Sequence, residues 1–147
     1  MDFIGTKLVK AERQDHINIV EGEEKIEEGY KVTYPDGYVS WSPKAVFEKA
    51  YIPMERNTQL KTNEPSIGEK MVENFVRECY VSTVGNKCTV VRAVLQNGFE
   101  IVEASACVSP ENYSEKIGAD ICMKKIYDKV WAYLGFMLQS AVHGFKQ

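Results

Sequence analysis

The residues able to do acid–base, nucleophilic or metal chemistry are few and badly spaced. There are two histidines, His16 and His143, and neither belongs to an H-E-x-x-H or similar ligand pattern. The four cysteines, Cys79, Cys88, Cys107 and Cys122, form no C-x-x-C pair, so a zinc ribbon or redox dithiol is not expected. They read as small buried hydrophobes. Serine and cysteine nucleophiles such as Ser105 and Cys107 have almost no base to serve them. The chain has no G-x-S-x-G, P-loop or dinucleotide fingerprint. Glu100 and Glu103 fall on opposite faces of one strand by its two-residue period, so they make no acid/base pair. The expectation is a protein without catalysis, metal or cofactor.

A binding site is easier to assemble. Planar bases stack on aromatic faces, and phosphates attract Lys, Arg and free amides. Phe99, Tyr113 and Trp131 supply stacking faces. Arg92 on a strand, with Lys124, Lys125 and Lys129 on a helix, supplies charge. Asn97 and Asn112 offer both a donor and an acceptor for polar base edges. Each residue has a plainer reading as well: Phe99 as hairpin packing, Trp131 as core, the lysines as a solvated face.

The elements that must position these residues follow from patterning. The chain has 147 residues, 44% hydrophobic and 27% charged, with a formal net charge of -3. That is a soluble globular composition, and the acidic balance argues against duplex nucleic acid as partner. No apolar run reaches the roughly 18 residues of a membrane span, and no secretory leader is visible, so a cytoplasmic location is expected. The polar stretch 53–66 reads as a linker between a module at 1–52 and a larger domain at 67–147.

In the N-terminal module, Phe3-Ile4 and Leu8-Val9 suggest a first strand. Tyr30–Tyr34, Asp36-Gly37 and Tyr38–Trp41 read as a hairpin. Ser42-Pro43 reads as a helix start, with Val46, Phe47 and Ala50 turned to that hairpin. The acidic run Glu21–Glu28 reads as a solvated loop. In the larger domain the spacing predicts a helix over 67–78. A hairpin follows from Cys88–Leu95 through Asn97-Gly98 to Phe99–Val108, both turn residues being expected at positive φ. Asn112 or Ser114 then opens a helix reaching about Ser140.

That helix carries two apolar stripes. Ala119, Met123, Ile126, Val130, Leu134, Met137 and Ala141 form one, and Ile117, Ile121, Trp131 and Val142 the other. A helix apolar on two faces needs two covers, which favours a homo-oligomer. The fold class is therefore α+β: an antiparallel hairpin or sheet on a long C-terminal helix, preceded by a small β-rich module.

Several stretches carry a resemblance. Gln96-Asn97-Gly98-Phe99-Glu100-Ile101, the run Ser105-Ala106-Cys107-Val108-Ser109-Pro110-Glu111-Asn112-Tyr113, Ile117-Gly118 and Lys129–Gly135 together resemble a family of small tailed-phage proteins. Glu103 stands where that family commonly has glycine. Phe3-Ile4-Gly5-Thr6-Lys7 and Asp36–Lys44 resemble a module common in small phage proteins, similar to one found ahead of domains that counter the Thoeris bacterial defence. The C-terminal half is similar to the first-described anti-Thoeris proteins.

That resemblance implies a sponge acting in the infected host: a dimer or hexamer that holds a cyclic ADP-ribose isomer, or a cyclic oligonucleotide, without cleaving it. The ligand would lie among Phe99, Asn112 and Lys129, with Arg92, Asn97, Tyr113 and Trp131 as further candidates. Two other readings stand beside it. One is an interaction protein whose Trp41 module docks on a host or phage protein; the other is a small hydrolase of the same signal.

Overall fold

The computed structural model describes residues 1–146, and the chain divides into two compact units. One comprises residues 1–53 with 139–147, the other residues 54–138. The architecture is α+β, as the patterning indicates.

The N-terminal unit contains β1 (Lys10–Arg13), β2 (His16–Val20), β3 (Glu23–Glu27), β4 (Gly29–Thr33), β5 (Val39–Pro43) and α1 (Lys44–Ala50). β1, β4 and β5 form one antiparallel sheet in the order β1-β4-β5, while β2 and β3 pair only with each other. The β4–β5 hairpin stands where the sequence puts it, its turn closed by Asp36, which accepts from the Tyr38 amide at 3.0 Å. Trp41 donates through Nε1 to the Gln14 carbonyl at 2.6 Å and stacks on His16 at 3.9 Å. Gly29 lies under its ring, where any Cβ would collide.

Three expectations fail in this unit. Residues 3–9 form no strand, and the first strand begins at Lys10. The acidic run is not a loop but the β2–β3 hairpin, turned at Glu21-Gly22 with φ of 54° and 81°. That pair of positive values is the tight-hairpin signature, and cross-strand pairing outweighs the poor strand propensity of glutamate. Ser42 does not cap α1. Pro43 is the N-cap, and the Glu28 carbonyl accepts the Lys44 amide at 2.9 Å. Phe47 does reach the hairpin, stacking on Tyr30 at 4.5 Å, whereas Val46 stays exposed.

The second unit contains α2 (Glu69–Phe75), β6 (Val76–Val84), β7 (Cys88–Leu95), β8 (Glu100–Ala106), a 3-10 turn (Pro110–Asn112) and most of α3 (Glu115–His143). Its antiparallel sheet runs β6-β7-β8. β6 is absent from the sequence reading, which extends α2 to residue 78. The helix stops at Phe75 because Val76 turns extended, and the run Cys79–Val84 is rich in aromatic and β-branched side chains suited to a ladder. The β7–β8 turn differs in detail. Only Gly98 takes a positive φ (82°), while Asn97 uses its side-chain oxygen to accept the Phe99 amide at 3.0 Å.

Alternation on β7 decides what faces α3. Thr89, Val91, Ala93 and Leu95 are buried and Arg92 is not. Met71, Val72 and Phe75 of α2 join them with Ile101, Cys122, Ile126, Val130 and Leu134 in one core. Part of the expected linker belongs to this unit. Met54 packs on that core, and Glu55 accepts the Gly68 amide at 3.0 Å and the Asn74 side-chain amide at 2.7 Å.

Candidate ligand-binding surface

The start of α3 is built for close approach. Ser114 caps it by accepting the Ile117 amide at 3.3 Å. One turn on, Gly118 sits against the fully buried Thr89 so tightly that a Cβ would overlap the Thr89 hydroxyl and Cβ. Gly118 is thus the contact that lets α3 settle on β7.

Beside it runs an ordered chain of hydroxyls. Thr83 donates to the Glu115 carboxylate at 2.5 Å, a charge-assisted bond that uses its only proton. Thr83 therefore accepts from the Tyr113 hydroxyl, 2.6 Å away. Tyr113 in turn accepts from Thr89 at 3.0 Å. Tyr113 is held through its hydroxyl between Thr83 of β6 and Thr89 of β7, which fixes the end of the Pro110–Asn112 turn. A depression of about 80 Å³ opens next to it, lined among others by Lys87, Ser105, Asn112, Ile117 and Ile121.

From this depression a stripe follows the seam between α3 and β8. Ile117, Ile121, Lys125, Lys129 and Tyr133 recur every fourth residue, so each stands beside the next on a line about 24 Å long that winds about 40° further round the helix at each step. Lys125 donates to the Ala104 carbonyl at 2.9 Å, Lys129 pairs with Glu103, and Tyr133 meets Phe99 edge-on at 5.8 Å. The stripe thus has a polar end at Asn112, a cationic middle, and an aromatic end at Phe99, which is exposed.

The seven residues singled out from the sequence divide on this map. Asn112, Tyr113, Lys129 and Phe99 lie along the stripe, and Asn97 supports the turn before Phe99. Trp131 leaves it: two residues past Lys129 the helix has turned by about 200°, and the indole packs partly buried against the core. Arg92 points from the opposite face of the sheet, bonded to Glu100 at 2.5 Å with its guanidinium 4.4 Å from the Tyr80 ring centre. Lys125, a charged candidate from the sequence, belongs to the stripe as well, and so do Glu103 and Tyr133, which the sequence reading does not single out as binding residues. The i, i+4 recurrence from Ile117 to Tyr133 was the available signal.

The Glu103–Lys129 pair shifts both groups. The hydrogen bond from Lys129 holds the Glu103 carboxyl below the usual carboxylate range, and the same bond raises Lys129. A depressed carboxylate contributes stability above its unfolded pKa that is lost as pH falls through the folded one. Glu103→Gln is therefore expected to lower the melting temperature at neutral pH and to flatten its fall on the acid limb. An unchanged acid limb in a calorimetric pH series would contradict this pairing.

The comparisons with known proteins bear on the same segment. The family described as Phage protein (N4 Gp49/phage Sf6 gene 66) matches residues 67–142, just over half of the chain. The chain belongs to this family. The match spans α2, the three-stranded sheet and α3 almost to its end, and so contains the whole stripe. No curated protein and no solved structure matches the chain. Among the described residues no group of three His, Cys, Asp or Glu side chains is placed to hold a metal ion. No helix among them is long and apolar enough to cross a membrane.

Proposed function

We propose that this phage protein binds a cyclic nucleotide immune signal and holds it uncleaved, in a pocket that a second copy of the chain completes. The ligand class is a cyclic ADP-ribose isomer, with cyclic oligonucleotides as its extension. The observation that carries the reading is the stripe itself, which places an amide, a cation and an exposed aromatic ring along one seam. A cyclic ADP-ribose isomer, with one base and a pyrophosphate, would occupy part of this stripe, and a cyclic oligonucleotide presents the fuller series of base edge, phosphate and base face.

The size of the depression explains the second copy. Ligand pockets occupy roughly 300–1,000 Å³, against about 80 Å³ here. One chain thus offers a wall rather than an enclosure. Ile117 and Ile121 remain exposed beside that wall, and burying them against another subunit would both cover them and close the site.

Each residue then has a physical role. Phe99, braced edge-on by Tyr133, stacks a base, a contact worth about 1–3 kcal/mol. Lys129 meets a phosphate, and Glu103 keeps it extended across the seam until the anion competes for it. Asn112 reads a polar base edge. Sequestration needs slow release and a copy number matched to the signal, not turnover. The resemblance to anti-Thoeris proteins supports the same assignment.

The test is incubation of the full chain with cyclic ADP-ribose isomers and cyclic di- and trinucleotides, then release by heat and mass spectrometry. One ligand is expected to be retained and returned intact, with Asn112→Ala and Lys129→Ala each weakening retention about tenfold or more. Recovery of a cleaved product would make the protein a hydrolase, and retention of none would remove the nucleotide reading.

A further inference from the structure

The β2–β3 hairpin is a surface without an evident internal purpose. It is a two-stranded ribbon with no third strand, a form that is marginally stable by itself in water. Its register places Ile17 opposite Ile26, with Ile19 two residues along on the same face. Ile17, Ile19 and Ile26 are 65%, 76% and 69% exposed. Side chains of this size are ordinarily buried, and a cluster of them on one projecting ribbon marks a contact surface.

The surroundings say what kind of surface fits. Glu24 shares the isoleucine face and Glu21 stands at the turn, while Glu23 and Glu27 fall on the other face by alternation. Lys25 is the one lysine on β3 and, by alternation, projects from the other face. The ribbon as a whole is therefore acidic, with four carboxylates against one lysine, and Glu24 lies on the isoleucine face itself. A second copy would bring two acidic ribbons together, and nucleic acids or anionic lipids would be repelled.

We infer that this ribbon docks a protein partner bearing an apolar patch edged with lysine or arginine. Apolar burial of the three isoleucines supplies affinity, while the acidic charge of the ribbon steers and selects the partner. This surface is independent of the nucleotide stripe.

The experiment places a photo-crosslinking residue at position 19 of the full-length protein, with a control at the exposed Lys61, in phage-infected bacteria. The protein captured at position 19 alone is then identified, purified and titrated. Ile17→Ser and Ile26→Ser are each expected to weaken binding about tenfold. The double reversal Glu23→Lys, Glu24→Lys is expected to weaken it at low ionic strength, and wild-type affinity is expected to fall as salt rises.

Trp41 stacks on His16 at the root of the ribbon, so its fluorescence reports whether a variant keeps the hairpin. If the serine variants lose that signal, the charge reversals, which alter only exposed side chains, decide the outcome. No adduct at position 19 would overturn the inference. So would an adduct with a second copy, nucleic acid or lipid, or a partner whose affinity ignores both charge reversal and salt.

Discussion

Gly118→Ala is expected to destabilise the protein by about 2 kcal/mol, measured as a lowered urea midpoint at unchanged slope. Two effects oppose each other. Alanine in a helix is better than glycine by about 1 kcal/mol. Against this, the new Cβ would overlap a threonine that cannot step aside. Thr89 is fully buried, β-branched and tied through Tyr113 to Thr83 and Glu115. Either the hydroxyl chain breaks or α3 lifts from β7, and both cost more than the propensity returns. Thr89→Ala removes the nearest atom, so the double variant should lose less than the two single losses combined. A stabilising Gly118→Ala would mean that helix and strand are not in tight contact.

The two sides of α3 are expected to respond oppositely. Ile126 is 0% exposed at the centre of the core, and Ile126→Ala should cost about 3–4 kcal/mol through lost burial and the cavity left behind. Ile121 is 44% exposed, and Ile121→Ser should change the stability of an isolated chain by no more than about 0.5 kcal/mol. Its effect is expected instead in sedimentation, as a shift towards smaller species, together with lost nucleotide retention. Equal destabilisation by both variants would place Ile121 in the fold and leave the interface without its apolar contact.

How much of this was legible in the sequence depends on how local each signal is. The β4–β5 turn is spelled by Asp36-Gly37, and the Ser114 cap by its own residue type, so both were readable. β6 was hidden because Val76 extends the apolar spacing of Met71, Val72 and Phe75 for one more turn. The β2–β3 hairpin was hidden behind glutamates, residues poor in strand propensity that pairing nonetheless holds extended.

The stripe shows the same division. Lys129 could be seen as a cation, but its partner Glu103 comes from a distant strand and only the fold joins them. Arg92 was misjudged for a related reason. Val90 and Val94 alternate with Val91, Ala93 and Leu95, so β7 is apolar at nearly every position, and its parity cannot be read without knowing which side α3 covers. Three of the four residues in the second apolar stripe, Ile117, Ile121 and Val142, are exposed. Trp131 packs on the core.

The most direct measurement is native mass spectrometry of the protein with a cyclic ADP-ribose isomer, across a concentration series and beside Ile121→Ser. Intact ligand is expected on oligomers alone, one site per completed interface, with monomers empty and the Ile121→Ser protein largely unliganded. Ligand bound to monomers would contradict the shared pocket, and no ligand on any species would contradict sequestration itself.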